Sequence, residues 1–208
     1  MKKFLVALVA VCFAAPSFAQ FSSGGFSLDE SNVYYGLRVG ANFSSLSGDY
    51  ALNPDGTKTG MNLAGIIGFR LSPDVPLFLE SGVWYTQRGA KKEKWAANFN
   101  YLEVPVLIKY GVEVADGVAV LPFFGPYFSF NISGKYKSPE VAGTVITQEI
   151  SKHYKIADMG FKLGCGAEWN MLYVELGYQF GAYNLAKKND LDQVARTSNL
   201  FFNVGVNF

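Results

Sequence analysis

Ten charged residues lie inside otherwise apolar or glycine-rich stretches of this chain: Arg38, Arg70, Arg88, Lys109 and Lys162, against Glu80, Glu103, Asp158, Glu168 and Glu175. Buried charges are tolerated when they are paired, so an interior shared by both signs neutralises itself. Such a set suits either of two chemistries. One is a structural plug of ion pairs that fills a lumen and fixes its shape; the other is a narrow path for protons or ions. Glu168 and Glu175 flank a short turn, which sets them almost opposite each other, and two carboxylates that close repel unless a cation intervenes. Arg38 or Arg70 is the expected bridge, because a guanidinium can bond both.

Catalytic chemistry has less to work with. The single histidine, His153, stands in a polar connection beside Ser151. A hydrolase needs nucleophile, base and orienting group in fixed geometry, which a serine and a histidine in one loop do not supply. No carboxylate and histidine cluster has metal-ligand spacing. The sequence therefore nominates no catalytic, cofactor-binding or metal residue, and the chain reads as a non-enzyme.

The elements that position these charges repeat every two residues, the period of a strand. Eight alternating segments run Val33 to Ser45, Met61 to Leu71, Leu77 to Gly89, Tyr101 to Val112, Val118 to Ser133, Ile156 to Trp169, Met171 to Tyr183 and Leu200 to Phe208. In the seventh, Leu172, Val174, Leu176, Tyr178 and Phe180 oppose Glu175, Gln179 and two glycines. The fifth is the least regular, because Leu121 and Phe123 fall on its polar face. Pro105, Pro122 and Pro126 sit within the fourth and fifth, where each removes a ladder donor, so a bulge or kink is expected there.

Long connections (Ser47 to Gly60, Ala90 to Asn100, Gly134 to Lys155, Asn184 to Thr197) alternate with short ones (Ser72 to Pro76, Glu113 to Gly117, and the turn at Asn170). Long outer loops, short periplasmic turns and an even strand count are the pattern of an outer-membrane barrel. A soluble barrel would invert the polarity, pointing apolar residues inward. Here one face holds nearly every strand charge together with many glycines, which fits a lumen only wide enough for side chains. The other face is apolar with aromatics toward both ends: Tyr35, Phe69, Tyr110, Trp169 and Phe208 at one, Phe43, Tyr85, Phe128, Phe130, Phe180 and Phe202 at the other. Two aromatic girdles mark the lipid interfaces of such a barrel. The expected fold is thus all-β, an eight-stranded antiparallel up-and-down transmembrane barrel over 33–208.

The N-terminal region reads as processing. Lys2 and Lys3 precede an apolar run from Phe4 to Ala15, and Ser17-Phe18-Ala19 supplies small residues for cleavage, so 1–19 is expected to be a signal peptide and 20–32 a flexible leader. Without Lys2 and Lys3, 16 basic residues face 17 acidic ones, and nothing suggests nucleic acid. Only Cys165 remains of the 2 cysteines, which leaves no intrachain disulfide. The long connections hold Lys58, Lys91, Lys92, Lys94, Lys135, Lys137, Lys152, Lys155, Lys187, Lys188 and Arg196, while the short ones hold Asp74, Glu113 and Asp116 and no base. Cationic outer loops suit phosphates of the outer leaflet; ordinary solvated loops give the same pattern.

The block Tyr101-Leu102-Glu103-Val104-Pro105-Val106-Leu107-Ile108-Lys109-Tyr110 resembles the signature of the PorT-like outer-membrane barrel family. Gly36 to Ser44, Tyr85 to Ala90, Phe124 to Tyr127, Asp158 to Phe161 and the terminal Phe208 fit in the same order. The resemblance implies an eight-stranded barrel resident in the outer membrane; a monomer in contact with outer-membrane lipid, without cofactor, is the expectation for the chain. The resemblance also implies recognition of the Phe208 strand by barrel-insertion machinery. An accessory role in protein secretion, with secretion components or cargo as partners, follows from it as well; a narrow channel or a lipid-modifying enzyme are the alternatives.

Overall fold

The computed structural model describes residues 33–49, 54, 56–141, 144–152, 154–187 and 193–208. The expected signal peptide and leader, and His153, lie outside them. Ten strands form one antiparallel sheet: β1 (Val33–Ser47), β2 (Lys58–Arg70), β3 (Leu77–Lys92), β4 (Trp95–Tyr110), β5 (Val112–Ala115), β6 (Val118–Val141), β7 (Thr144–Glu149), β8 (Ala157–Trp169), β9 (Leu172–Gly181) and β10 (Arg196–Asn207). Eight long strands make the wall. The short β5 prolongs the line of β4 along β6, and β7 prolongs the sheet at the opposite end.

Each wall strand pairs with its neighbours in sequence, and β1 pairs with β10, so the sheet closes on itself. The closing seam runs in register from Gly36 opposite Asn207 to Ser47 opposite Arg196. Tyr35 and Phe208 extend it by exchanging two backbone hydrogen bonds of 2.9 Å. A closed seam leaves no strand edge in the wall to pair with another chain.

Side chains alternate along every wall strand, and the polarity is that of a membrane barrel. On β9, Leu172, Val174, Leu176, Tyr178 and Phe180 are exposed, while Tyr173, Glu175 and Gln179 between them are buried. Aromatics ring both ends of the exposed face, with Tyr35, Phe69, Tyr110 and Trp169 toward the short turns and Phe43, Phe128, Phe130, Phe180 and Phe202 toward the long connections.

Two expectations need correction. The connection from Ala90 to Asn100 is not a loop: β3 and β4 continue outward to a tight turn at Glu93 and Lys94, with Glu93 at φ 50°. Its strand character is carried by Ala90, Ala97 and Phe99, three inward residues masked in sequence by Lys91, Lys92 and Lys94. Gly134 to Lys155 is likewise mostly the β6–β7 hairpin followed by a 3-10 turn at Ile150–Lys152. Second, the prolines produce no bulge. The β4–β6 register is unchanged from Tyr101 opposite Asn131 to Lys109 opposite Phe123, and its shift lies between Asn100 and Tyr101, where β6 carries one extra residue. Pairing lapses only locally around Pro105, where the Ser81 hydroxyl donates to the Pro105 carbonyl at 2.8 Å.

Candidate functional site: the ion-paired lumen

Inward positions of the eight wall strands converge on a lumen filled with polar side chains, arranged in three tiers. The tier at the short-turn end is built on Lys109 of β4. Its ammonium lies 2.9 Å from Glu80 Oε1 and 3.8 Å from Glu175 Oε2, and donates to the Tyr173 hydroxyl at 2.7 Å. Tyr173 passes the interaction on, donating to Glu175 at 3.0 Å, and Tyr34 donates to the other oxygen of Glu80 at 2.7 Å. The guanidinium of Arg38 stacks 3.9 Å above the Tyr173 ring, donates to Asn207 Oδ1 at 2.6 Å, and lies 3.9 Å from Glu80.

The tier toward the long connections is built on Arg88 of β3, which is wholly buried. It reaches Glu103 at 3.0 Å and Asp158 at 3.4 Å, and donates to Ser129 Oγ at 2.7 Å. Lys162 pairs with the second oxygen of Glu103. Ser129 and Gln179 donate to Glu103 at 2.8 Å each, and Thr197 donates to Asp158 at 2.9 Å. The fork of an arginine matches two carboxylates at once in a way a lysine cannot.

Between them lies a chain of neutral amides. Asn203 donates to Glu175 at 2.7 Å and accepts from Asn62 at 3.0 Å; Asn62 and Asn42 exchange bonds of 2.5 and 2.8 Å; Asn199 donates to Asn42 at 2.8 Å and to Gln179 at 3.4 Å. Since Gln179 bonds Glu103, this chain joins the two ionic tiers. Asn199, Asn203 and Asn207 recur every fourth residue along β10, so the closing strand supplies one linker to each level. Neutral amides satisfy carboxylate oxygens without adding charge.

Nine of the ten charges nominated from sequence share this interior: Arg38, Glu80, Arg88, Glu103, Lys109, Asp158, Lys162, Glu168 and Glu175 are each 5% exposed or less. The tenth, Arg70, lies at the short-turn mouth, 5.9 Å above the Phe78 ring, where it donates to the carbonyls of Ser72 at 2.8 Å and Pro73 at 3.3 Å. The expected bridge between Glu168 and Glu175 does not form. Glu168 faces Tyr173 across the hairpin and accepts from Asn207 at 2.7 Å, whereas Glu175 belongs to Lys109. A tyrosine ring and an asparagine thus separate the two carboxylates, where an arginine was anticipated.

Aromatic residues fill much of the remaining lumen. Tyr34, Tyr127, Tyr173, Phe78, Trp84, Phe123 and Phe201 are buried among the charges, and Lys162 lies 4.8 Å above the Trp84 ring. Glycines make the room: an added Cβ at Gly68 would collide with the Tyr34 ring, and one at Gly166 with the Tyr173 ring. Gly68 stands directly opposite Tyr34 in the register, whereas Gly166 stands opposite Glu175 and receives the Tyr173 ring from two residues along the strand.

Above Arg88 the long connections pack into a cap with its own apolar core. Phe99 stacks on Tyr101 at 5.5 Å and meets Tyr154 edge-on at 5.2 Å, and Leu46, Ile150, Leu185 and Ala195 complete the cluster. The backbone holds it together, with Lys155 N donating to Leu185 O and Leu185 N to Ala195 O, both at 2.8 Å. Since Tyr101 carries the Arg88 guanidinium 4.3 Å above its ring, the cap rests directly on the upper tier.

A closed eight-stranded wall, apolar outside and ion-paired within, defines an integral β-barrel of the outer membrane. The chain belongs to the family of the outer membrane protein beta-barrel domain, which matches residues 18–187. Among solved structures it is similar to a major outer membrane protein from Thermus thermophilus, at 17% identity and a TM-score of 0.50 over 86% of this chain and 100% of that one. Neisserial surface protein A shares 17% identity over 86% of this chain and 98% of its own, with a TM-score of 0.47. For Ail, the attachment invasion locus protein of Yersinia pestis, the values are 14%, 86%, 100% and 0.45. Likeness at this level concerns the fold alone. No curated protein matches the chain.

Proposed function

We propose that this barrel is a non-enzymatic and non-conducting element of the cell envelope that acts through its surfaces. The observation that carries this reading is the filled lumen. Two ionic tiers, the amide chain between them and the cap above leave the interior committed to holding the wall together. A conducting lumen needs ligands weak enough to release an ion, whereas Glu103 alone is held by Arg88, Lys162, Ser129 and Gln179. Among the described residues no group of three His, Cys, Asp or Glu is placed to hold a metal ion.

The PorT-like resemblance sharpens this reading into an accessory role in protein secretion. Photocrosslinkers placed in living cells at exposed Lys94 on the β3–β4 turn and at Asp74 and Asp116 on the short turns test it. Capture of secretion components from either end, together with impaired export when the chain is deleted, supports the role. Unchanged export and capture of lipid alone overturn it, and leave a barrel whose work is structural. The lipid-modifying alternative predicts altered outer-leaflet lipid on deletion, mimicked by His153→Ala.

A further inference from the structure

The outward face of β3, β4 and β6 changes character in a fixed order toward the long connections. Aligned residues of the three strands form rows across the wall. Tyr85, Leu102 and Phe130 make the last full apolar row, with Ile132, the extra residue of β6, exposed just above it. Gln87, Asn100 and Ser133 follow, then Gly89, Asn98 and Lys135, then Lys91, Ala96 and Lys137. Hydrocarbon-facing, amide and cationic positions thus succeed one another as they do across a lipid interface. Each step covers two residues, or about 5 Å along the membrane normal once a strand rise of about 3.3 Å and a tilt of about 40° are combined. Lys135 therefore stands about 10 Å above the apolar belt, and lysine stems bring their ammonium groups to the headgroup layer.

The top rows are also concave. Gly89 and Ala96 place almost no side chain between the flanking lysines. Two open grooves, of about 720 and 670 Å³, run on either side of the β4–β6 ladder and share Asn98 and Lys137. Lys58 and Lys94 line the first, and Lys135 lines the second. The acidic residues on their borders are Glu93, at the turn, and Glu149, which lies across from Lys135 on β7. Cations remain in excess after both are counted.

We propose that this flank binds the phosphorylated headgroup of an outer-leaflet lipid, with Lys91, Lys135 and Lys137 on its phosphates, Asn98 between them and the acyl chains against Leu102, Phe128 and Phe130. The inference rests on the proposed role of a barrel that acts through its surfaces, with the long connections outward. A free phosphate would use the lysines but gain nothing from the apolar rows beneath them, which is why the occupant is a lipid.

The test uses the folded full barrel in phosphatidylcholine nanodiscs doped with a diphosphorylated lipid A, read by native mass spectrometry of the glycolipid retained. The triple variant Lys91→Gln, Lys135→Gln, Lys137→Gln should bind on the order of a hundredfold more weakly, each charge near the surface contributing about a factor of five. Lys187→Gln, on another connection, should bind as the parent does. Equal retention by the triple variant overturns the proposal. So does binding of inorganic pyrophosphate as strong as that of the glycolipid, which would identify a phosphate site indifferent to lipid. Failure of the parent to enter nanodiscs, seen as loss of a heat-dependent gel shift, refutes the membrane placement itself and is distinguishable from both.

Discussion

Arg88 is the side chain whose removal the structure makes most costly. Its guanidinium touches two carboxylates, one hydroxyl and the face of Tyr101, and it is wholly buried. In its tier Arg88 and Lys162 balance Glu103 and Asp158. Arg88→Met keeps most of the volume but leaves Asp158 without its cation in the interior. Breaking a buried pair from one side costs about 3–5 kcal/mol, because the remaining charge keeps its desolvation penalty. Removing that charge as well should return part of the loss, so Arg88→Met with Asp158→Asn should recover about 1–3 kcal/mol relative to the sum of the single variants. The assay is equilibrium unfolding in guanidinium from lipid vesicles, followed by tryptophan fluorescence. Trp84 suits it, since it lies buried in the lumen beside Lys162. An Arg88→Met barrel within about 1 kcal/mol of the parent, the range of exposed ion pairs, would refute the reasoning.

Further outcomes follow from the same geometry. Arg70→Met should cost about 1 kcal/mol or less in that assay, because the side chain bonds turn carbonyls at the mouth and stands outside the tiers; a loss equal to that of Arg88→Met would put Arg70 back in the lumen's energetics. Gly40→Val should strongly reduce the folded fraction on a heat-shift gel, since any Cβ there meets the Phe202 carbonyl and Asn203 across the closing seam. Leu185→Ala should cost the cap about 2–5 kcal/mol and speed proteolysis of the connections at 144–155 and 182–195, while the barrel's heat shift stays intact; simultaneous loss of both would show that cap and wall unfold together. Phe208→Ser should lower the amount of barrel assembled in the outer membrane in cells, and an unchanged amount would remove this residue from recognition.

Most of the wall was legible because a two-residue period survives in sequence wherever one face meets lipid. Arg38, Glu80 and Glu175 could be placed inward by parity alone. The inward aromatics were harder, since Phe123 and Phe201 look like errors in a polar face until Gly164 and Gly177 are seen to hold space for their rings. The cap was masked for a different reason. Phe99, Tyr136 and Tyr154 stand among asparagines, lysines and glycines, which read as loop, and the pairing of β4 with β6 and the Tyr154–Ala186 bridge bring them together over Tyr101. The partner of Glu168 could not be read at all, because Asn207 reaches it only through the closing seam.

The central claim is that the lumen is a plug. Conductance across a planar bilayer tests it most directly, using barrel whose folding has been verified by its heat-dependent shift. The account predicts no stable unitary steps from the parent protein in either orientation of the applied voltage. Reproducible steps of fixed size, abolished by unfolding, would contradict it.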